Sequence, residues 1–280
     1  MRTHKKINGI QLMFPQFLAN FIDRRRLYPI MKKKKSVVIT GGARGIGLEI
    51  GKTLANNEYE VFLLDSDRKL LEAAKSSLEG IVGFNLLEAD VRNFEQLERA
   101  AEEVISKTGG LDAWVNNAGL ARHRRIQDIS TDEMDLVIDV NLKGTINGCR
   151  AAFGQMSRKK SGRIINIIST ASLRGIPTES VYCSAKWGVR GFTQALQEEA
   201  AHYGVGVSSI LPGGVQSPFW TDARETTTDM EDFLDPKSVA DSVVYCLDQD
   251  SNVVPREVVI RSIKDNDFSY SEEDDTQTKN

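Results

Sequence analysis

The chain has 280 residues, 40% of them hydrophobic and 27% charged, with a net charge of -3 at pH 7. This length and composition indicate one large globular domain with a sizeable core, and the near-neutral charge gives no reason to expect a nucleic-acid partner. The three cysteines, Cys149, Cys183 and Cys246, are far apart and form no C-x-x-C pair. We therefore expect free thiols in a reducing, cytoplasmic compartment.

Residues 1–35 form a basic segment that differs from the rest of the chain. They include Arg24–Arg26 and Lys32–Lys35 against one acid, Asp23. The stretch Ile10–Ile22 has apolar residues at helical spacing, but it is too short to span a bilayer and lacks the features of a signal peptide. Two interpretations stay open: an amphipathic helix that contacts a membrane surface or a partner, and an arm packed on the protein itself.

From residue 36 to residue 262, short apolar runs alternate with amphipathic segments. The runs are Ser36–Thr40, Val61–Asp65, Ile81–Ala89, Leu111–Asn116, Arg163–Ser169, Val205–Leu211 and Glu257–Arg261. Helices are predicted between them, among them Glu95–Lys107, Asp132–Ser157, Tyr182–Tyr203 and Pro236–Leu247. This alternation predicts a single α/β domain, a doubly wound parallel sheet with helices on both faces. The acidic residues 263–280 are expected to be a disordered tail.

A glycine-rich turn follows the first predicted strand and opens a helix. It consists of Thr40, Gly41, Gly42, Ala43, Arg44, Gly45, Ile46 and Gly47. Glycines permit a tight turn and a close approach of backbone to a pyrophosphate, and the helix N-terminus offers that anion unpaired N–H groups. The turn therefore predicts a dinucleotide site. Glycines that only turn the chain are the alternative, which the strand before them and the acid after them disfavour.

The acid is Asp65, at the end of the second predicted strand. It lies at about the 20-residue distance at which a carboxylate accepts the hydroxyls of an adenosine ribose. A 2′-phosphate there would meet a like charge, so Asp65 favours NAD over NADP. Arg44 points the other way, because a guanidinium in the turn can pair with a 2′-phosphate. We expect NAD, with NADP as the alternative.

Tyr182 and Lys186 lie four residues apart and share one helix face. A tyrosine with the ordinary pKa near 10 is a poor base at neutral pH. An ammonium about 4 Å away, at an effective dielectric near 20, would lower that pKa by about three units, to near 7. The pair predicts a proton switch for an alcohol or a ketone, and a surface pair is the alternative interpretation.

Together with other motifs, these residues resemble the short-chain dehydrogenase/reductase family, over essentially all of Ser36–Ser262. The motifs are Thr40–Gly47, Asn116–Gly119, Asn141, Ser169, Tyr182 with Lys186, and Pro212–Gly213. The resemblance implies a seven-stranded Rossmann fold, a nicotinamide cofactor and a homo-oligomer, either a dimer or a tetramer. It also implies a catalytic proton relay that consists of Asn141, Ser169, Tyr182 and Lys186.

The same resemblance implies further cofactor contacts. We expect these contacts beside the adenine, at the central turn and at the nicotinamide carboxamide. The residues are Asp90, Val91, Asn117, Ala118, Gly119, Pro212, Gly213, Val215 and Ser217. Ser217 stands where many members have threonine, so it keeps the hydroxyl and loses the methyl group. Lys186 is also expected to hold the ribose.

The segment Val215–Asp235 is expected to cover the substrate, and its Phe219 and Trp220 suggest an apolar wall. This favours a secondary alcohol or ketone with an apolar body, and an NADP-dependent carbonyl or 3-oxoacyl reductase is the enzymatic alternative. A nucleotide-sensing protein and a membrane-tethered interaction protein are the non-enzymatic ones. The three histidines have no ligand spacing, so no metal site is expected. The loop Arg122–Arg125 is interpreted as solvated charge, with a contact to the substrate as the alternative.

Overall fold

The computed structural model describes residues 33–57, 59–80, 83–223 and 230–264. The strands are β1 Lys35–Thr40, β2 Tyr59–Asp65, β3 Phe84–Glu88, β4 Ala113–Asn116, β5 Gly162–Ile167, β6 Val205–Pro212 and β7 Glu257–Ile260. The helices are α1 Gly45–Asn56, α2 Arg68–Ser77, α3 Phe94–Thr108, α4 Thr131–Ile138, α5 Gly144–Lys159, α6 Ser180–Ala201, α7 Phe219–Ala223 and α8 Pro236–Leu247.

The seven strands form one parallel sheet in the order β3-β2-β1-β4-β5-β6-β7. The central strands are buried on both faces, which explains their continuous apolar sequences. One face packs against α1, α2 and α8, and the other against α3, α5 and α6. The predicted doubly wound sheet is thus confirmed. The chain changes direction across the sheet between β1 and β4, the place where such folds bind ligands.

The predicted helix Asp132–Ser157 is interrupted in the structure. A π-turn over Asp139–Lys143 separates α4 from α5. At its centre, the side-chain amide of Asn141 donates to the carbonyls of Val137 and Leu120, at 2.9 and 2.6 Å. A π-turn is rare and is often found at functional sites. The prediction of one continuous helix was wrong here, because the apolar periodicity of the sequence runs through the turn.

The predicted basic arm, residues 1–35, and the predicted acidic tail, residues 263–280, lie almost entirely outside the described residues. The membrane contact and the tail therefore stay predictions, as does the oligomeric state. Within residues 33–264, apart from the gaps already given, no helix is both long enough and apolar enough to cross a membrane.

Candidate active site

A cleft of about 600 Å³ opens at the carboxyl ends of the strands, beside β1 and β4. Its volume lies in the range of small-molecule and cofactor sites. Most of the residues predicted from the sequence line this one cleft: Gly41, Arg44, Gly45, Ile46, Asp65, Asp90, Val91, Asn117, Ala118, Gly119, Ser169, Tyr182, Lys186, Pro212, Gly213, Val215 and Ser217. The fold thus brings together residues that are up to 176 positions apart.

Thr40, Gly47 and Asn141 stand behind the cleft wall. The hydroxyl of Thr40 accepts hydrogen bonds from the backbone N–H groups of Asn117 and Ala118, at 3.0 and 3.1 Å. A Cβ at Gly47 would lie 2.2 Å from the carbonyl oxygen of Gly41. Thr40 therefore ties the glycine turn to the Asn-Ala-Gly turn, and the missing side chain of Gly47 lets the start of α1 lie close to Gly41. The direct cofactor contact predicted for these two residues stays a prediction.

The glycine turn needs glycine for two physical reasons. Gly41 and Gly45 have φ values of +61° and +53°, in the left-handed region that other residues rarely adopt. A Cβ at Gly41 would also come within 2.8 Å of the Cα of Ala118. Arg44, the residue just before α1, makes no side-chain capping hydrogen bond, whereas Asp67 caps α2 and Asn93 caps α3. The first amides of α1 are therefore left for another acceptor.

Asp65 and Arg44 take part in separate interactions at the end of the cleft beside β2. The Asp65 carboxylate accepts hydrogen bonds from the N–H groups of Ala43, at 3.3 Å, and Asp67, at 3.2 Å. The guanidinium of Arg44 forms an ion pair with Asp222 in α7. The carboxylate is thus fixed at the end of β2, while the arginine is bound to the segment that follows β6.

Asp90 and Val91 follow β3 and form the next part of the wall. Arg92 donates to both carboxylate oxygens of Asp90, at 3.0 and 2.9 Å from its Nε. This hydrogen bond lowers the pKa of Asp90. Val91 packs so closely on the start of α5 that a Cβ at Gly144 would lie 2.7 Å from its side chain.

The opposite wall is formed by the segment that follows β6. Gly213 donates its N–H to the carbonyl of Ile260, at 2.8 Å, and Val215 forms a bridge with Leu234. Ser217 faces the glycine turn, since a Cβ at Gly45 would lie 3.4 Å from the Cβ of Ser217. The segment is thus held by β7 and by Leu234, and its Ser217 lies next to the glycine turn.

Ser169 and Tyr182 meet at the centre of the cleft. Ser169 follows β5, and its hydroxyl accepts a hydrogen bond from the N–H of Ala171, at 3.1 Å. Tyr182 lies in the first turn of α6, is 8% exposed and forms a side-chain hydrogen bond with Ser169. Phe219 packs against its ring, with 5.7 Å between ring centroids.

The pKa of Tyr182 differs from the predicted value near 7. Burial raises it above the ordinary value, and the negative charge of Glu179 raises it further, while the hydrogen bond with Ser169 lowers it. The Lys186 ammonium lies 5.5 Å from the centroid of the Tyr182 ring. The prediction from charge alone was wrong for these side chains, because it left out the desolvation of the phenolate.

Lys186 is 4% exposed, and burial lowers its pKa to about 8. Its Nζ donates to the carbonyl of Ile167, at 3.4 Å. Gly119 separates it from Asn141: a Cβ at Gly119 would lie 2.8 Å from the Asn141 Oδ1 and 3.6 Å from the Lys186 Nζ. The Oδ1 is buried and accepts no hydrogen bond from the part of the chain that the structure describes.

The end of the cleft beside α7 combines an aromatic wall with a buried glutamate–histidine pair. Phe219, Trp220 and Phe233 form the wall, with ring centroids 5.5 and 5.0 Å apart. Glu179 also lines the cleft, and His123 lies behind it with its Nδ1 3.5 Å from the Glu179 Oε1. Both side chains are almost fully buried, at 5% and 6% exposure.

This pair corrects the interpretation of Arg122–Arg125 as solvated charge, since His123 is buried there. Glu179 was missed altogether. One signal was available: an acid three residues before Tyr182 falls on the same side of a helix. Among the described residues, no group of three or more His, Cys, Asp or Glu side chains is arranged to hold a metal ion.

Comparison with known proteins matches residues 35–228 to the family model of the short chain dehydrogenases. The chain belongs to the short-chain dehydrogenase family. The expected enzyme class, an NAD(P)-dependent oxidoreductase of this family, is thereby confirmed. This short-chain dehydrogenase is 35% identical over 233 residues to an uncharacterized oxidoreductase of Staphylococcus saprophyticus, covering 82% of this chain and 97% of the relative.

Two further similarities bear on function. A 3-oxoacyl-[acyl-carrier-protein] reductase of Staphylococcus aureus is 37% identical over 197 residues, which cover 69% of this short-chain dehydrogenase and 79% of the relative. An alcohol dehydrogenase of the archaeon Thermococcus sibiricus, solved with 5-hydroxy-NADP, superposes with a TM-score of 0.75 at 29% identity. That comparison covers 83% of this chain and 98% of the archaeal one.

Proposed function

We propose that this short-chain dehydrogenase transfers a hydride between a nicotinamide cofactor, preferably NAD, and a secondary alcohol or ketone with an apolar body. Tyr182 is the general acid and base. The observation that carries the proposal is that Ser169, Tyr182 and Lys186 line the same cleft as the glycine turn and Asp65. A proton-transfer group thus lies in one cleft with a turn built for a pyrophosphate.

The residues of the cleft fit a dinucleotide. Gly41 and Gly45 leave the backbone of the turn open to close approach at their positions, and the uncapped amides at the start of α1 suit a pyrophosphate. Asp90, Val91 and the Asn117–Gly119 turn would flank the adenosine half and the centre, and Pro212, Gly213, Val215 and Ser217 the nicotinamide half. The nicotinamide supplies the hydride donor or acceptor and, in its oxidised form, a positive charge.

The preference for NAD rests on Asp65. Its carboxylate is held at the end of β2 by two backbone N–H groups, where it would accept ribose hydroxyls and repel a 2′-phosphate. Arg44, the residue that favours NADP, is engaged with Asp222. NADP is the second candidate, because the archaeal alcohol dehydrogenase was solved with an NADP derivative and Arg44 lines the same cleft.

The chain's own part in the reaction is to hold and move one proton. Because burial raises the pKa of Tyr182, its hydroxyl is protonated at neutral pH and can donate to a ketone oxygen. In the reverse direction the Tyr182 Oη accepts the proton of the alcohol. Ser169, which is hydrogen-bonded to Tyr182, would hold the same substrate oxygen in line.

Lys186 and Asn141 complete the proposed relay. The Lys186 ammonium stabilises the phenolate once it forms and would hold the ribose. The free lone pairs on the buried Asn141 Oδ1 face the same glycine as the Lys186 Nζ, which supports a water-mediated link between the two residues. Proton exchange with solvent would pass along this link.

For the substrate, the aromatic wall of Phe219, Trp220 and Phe233 supports an apolar body. A 3-oxoacyl reductase is the second candidate, favoured by the similarity to the Staphylococcus aureus enzyme. Acyl thioesters would therefore be included in a substrate screen.

The test is a screen of alcohols, ketones and 3-oxoacyl thioesters with both cofactors, followed by the absorbance of the reduced nicotinamide. Tyr182→Phe should abolish turnover and leave cofactor binding nearly intact. Tyr245→Phe, at an exposed tyrosine in α8, is the matched control and should leave both unchanged. Turnover retained in Tyr182→Phe would overturn the assignment of the acid and base.

A further inference from the structure

Glu179 places a buried carboxylate in the wall of the cleft, just before the helix that carries Tyr182. Its side chain is 6% exposed and lines the cleft. His123 supplies one partner, with 3.5 Å between its Nδ1 and the Glu179 Oε1, and the imidazole meets the Trp220 ring edge-on with 5.8 Å between centroids. The Glu179 carboxylate thus lines the same cleft as Tyr182, and His123 contacts Trp220 of the aromatic wall.

This arrangement is unfavourable for the protein in three ways. Burial removes a carboxylate from water. Burial raises the pKa of Tyr182 most, and the Glu179 charge raises it further, which opposes the use of Tyr182 as a base. The preceding residue, Thr178, is β-branched and has a φ of +67°, in the left-handed region, where its carbonyl accepts a hydrogen bond from the N–H of Arg124 at 3.0 Å. Features that oppose stability in this way concentrate at functional sites.

We propose that Glu179 is a specificity-determining residue, which accepts a hydrogen bond from a hydroxyl or ammonium group that the substrate carries close to its reacting carbon. This inference rests on the proposed function. A carboxylate has two oxygens and about four lone-pair sites, so it can accept from several donors at once. Hydrogen bonds to an ionised acceptor are stronger than neutral ones, and a substrate carboxylate would be repelled.

Arg174 is the residue that would favour the opposite charge, since it also lines the cleft. Its side chain is exposed, so water and salt screen its charge, whereas the charge of Glu179 is buried. The substrate class that follows is a secondary alcohol, or its ketone, with an apolar body on one side of the carbinol and a hydroxyl or ammonium group on the other.

Four probes that share a phenyl carbinol test this assignment. They are 1-phenyl-1,2-ethanediol, 2-amino-1-phenylethanol, 1-phenyl-1-propanol and mandelate, which place a hydroxymethyl, an aminomethyl, an ethyl and a carboxylate group beside the carbinol. Each is assayed as a substrate and as a competitive inhibitor of the best alcohol from the screen. The diol or the amino alcohol should have a kcat/KM, or an inhibition constant, at least about tenfold better than the ethyl probe, and mandelate should be the poorest.

Glu179→Gln keeps the shape of the side chain and removes its charge. It should reduce the advantage of the amino alcohol at least about tenfold, mainly through KM, and weaken the rejection of mandelate. Glu198→Gln, at an exposed glutamate in α6, the helix that Glu179 precedes, is the control and should leave the ratios unchanged. If Glu179→Gln does not fold, Glu179→Asp, which shortens the side chain by one methylene, should reduce the same ratio.

The pH dependence of alcohol oxidation gives a second test, because replacing a residue with a purely structural role would not shift it. Tyr182 faces Glu179 and Cys183 on its own helix segment and Lys186 one turn further on, and burial raises its pKa more than any of these charges. Removal of the Glu179 charge should lower that pKa and shift the alkaline rise of alcohol oxidation to lower pH, while Glu198→Gln should leave it in place.

The outcomes separate the two proposals. Suppose that the enzyme oxidises some alcohol. The role of Glu179 is then overturned, and the proposed function stands, if the ethyl probe is preferred to both the diol and the amino alcohol. The same holds if Glu179→Gln leaves the ratios of kcat/KM between the probes unchanged. No turnover of any alcohol or ketone with either cofactor would overturn the proposed function, and with it this inference.

Discussion

Arg44 and Asp222 form an ion pair that joins the glycine turn to α7. Arg44 is the only arginine of that turn, and α7 also carries two residues of the aromatic wall, Phe219 and Trp220. Both partners are 46% exposed, so the pair contributes no more than about 1 kcal/mol. A contact this weak can be exchanged for another anion. Under the proposed function, it would therefore link the choice of cofactor to the segment that is expected to cover the substrate.

Asp222→Asn should release Arg44 and favour NADPH. Without its carboxylate partner, the guanidinium is available to a 2′-phosphate, and the ratio of the NADPH and NADH dissociation constants should shift toward NADPH by up to about fivefold. Titration of the fluorescence of each reduced cofactor measures the ratio. Asp232→Asn, at an exposed aspartate paired with Lys264, is the control. An unchanged ratio in Asp222→Asn would show that the ion pair does not restrain Arg44.

Asp65→Asn tests the residue on which the NAD preference rests. Asparagine can still accept the hydrogen bond from the Ala43 N–H, so the glycine turn should stay in place while the repulsion of a 2′-phosphate disappears. Because a like charge a few ångströms away costs about 1–4 kcal/mol, the preference should shift toward NADPH by about fivefold or more. The same fluorescence titration applies. If the unaltered protein already binds NADPH more tightly than NADH, the assignment of Asp65 is wrong.

Gly119→Ala tests the proposed relay without removing any of its members. The added methyl would lie 2.8 Å from the Asn141 Oδ1, so Asn141 or the turn must move. A displacement of about 1 Å in such a site can reduce kcat by about 100-fold. Steady-state kinetics and thermal unfolding should show a fall in kcat larger than any loss of stability explains. At Gly154, in α5, a Cβ meets nothing within 4 Å, so Gly154→Ala should leave kcat unchanged.

Lys186→Met should stabilise the fold and abolish activity. Burial lowers the pKa of Lys186 from 10.5 to about 8, which at neutral pH corresponds to about 3 kcal/mol of unfolding free energy lost to the buried charge. Below pH 8 the ammonium is charged in both the folded and the unfolded state, so the loss is complete. Between pH 8 and pH 10.5 the folded state releases its proton first, and the stability of the unaltered protein rises.

The gain in Lys186→Met should therefore be largest at neutral pH and fall to less than about half by pH 9.5. Urea unfolding at both pH values, without added cofactor, measures it. Lys107→Met, at an exposed lysine of α3, should change the free energy of unfolding by no more than about 0.5 kcal/mol. A gain that did not depend on pH would point to better packing of methionine instead of the removal of charge.

The parts of the molecule that could be predicted from sequence are those with a local signal. Each strand is a short apolar run, and the glycine turn needs glycine at Gly41 and Gly45 for reasons of backbone conformation. Once the parallel sheet is predicted, its carboxyl edge brings the residues after each strand together. Most of the cleft follows from these two facts.

Other parts depend on distances that sequence does not contain. His123 and Glu179 come from separate loops, and only the folded chain brings them within 3.5 Å. The shift in the pKa of Tyr182 depends on how deeply the ring is buried. The spacing to Lys186 indicated only that the lysine charge lowers this pKa. Ion pairs such as Arg44 with Asp222 likewise depend on where the segment after β6 returns to the cleft.

The π-turn over Asp139–Lys143 also sets the number of residues that the chain needs between α4 and α5. Such a turn accommodates one residue more than a regular α-helix would hold. Deletion of a single residue there could restore regular hydrogen bonding, but every residue of α5 would then rotate by about 100° relative to α4. Asn141 would leave its place behind the cleft wall, or the buried face of α5 would turn away from the sheet. Natural variants that lose a residue at this position should therefore be inactive even when all four relay side chains are present.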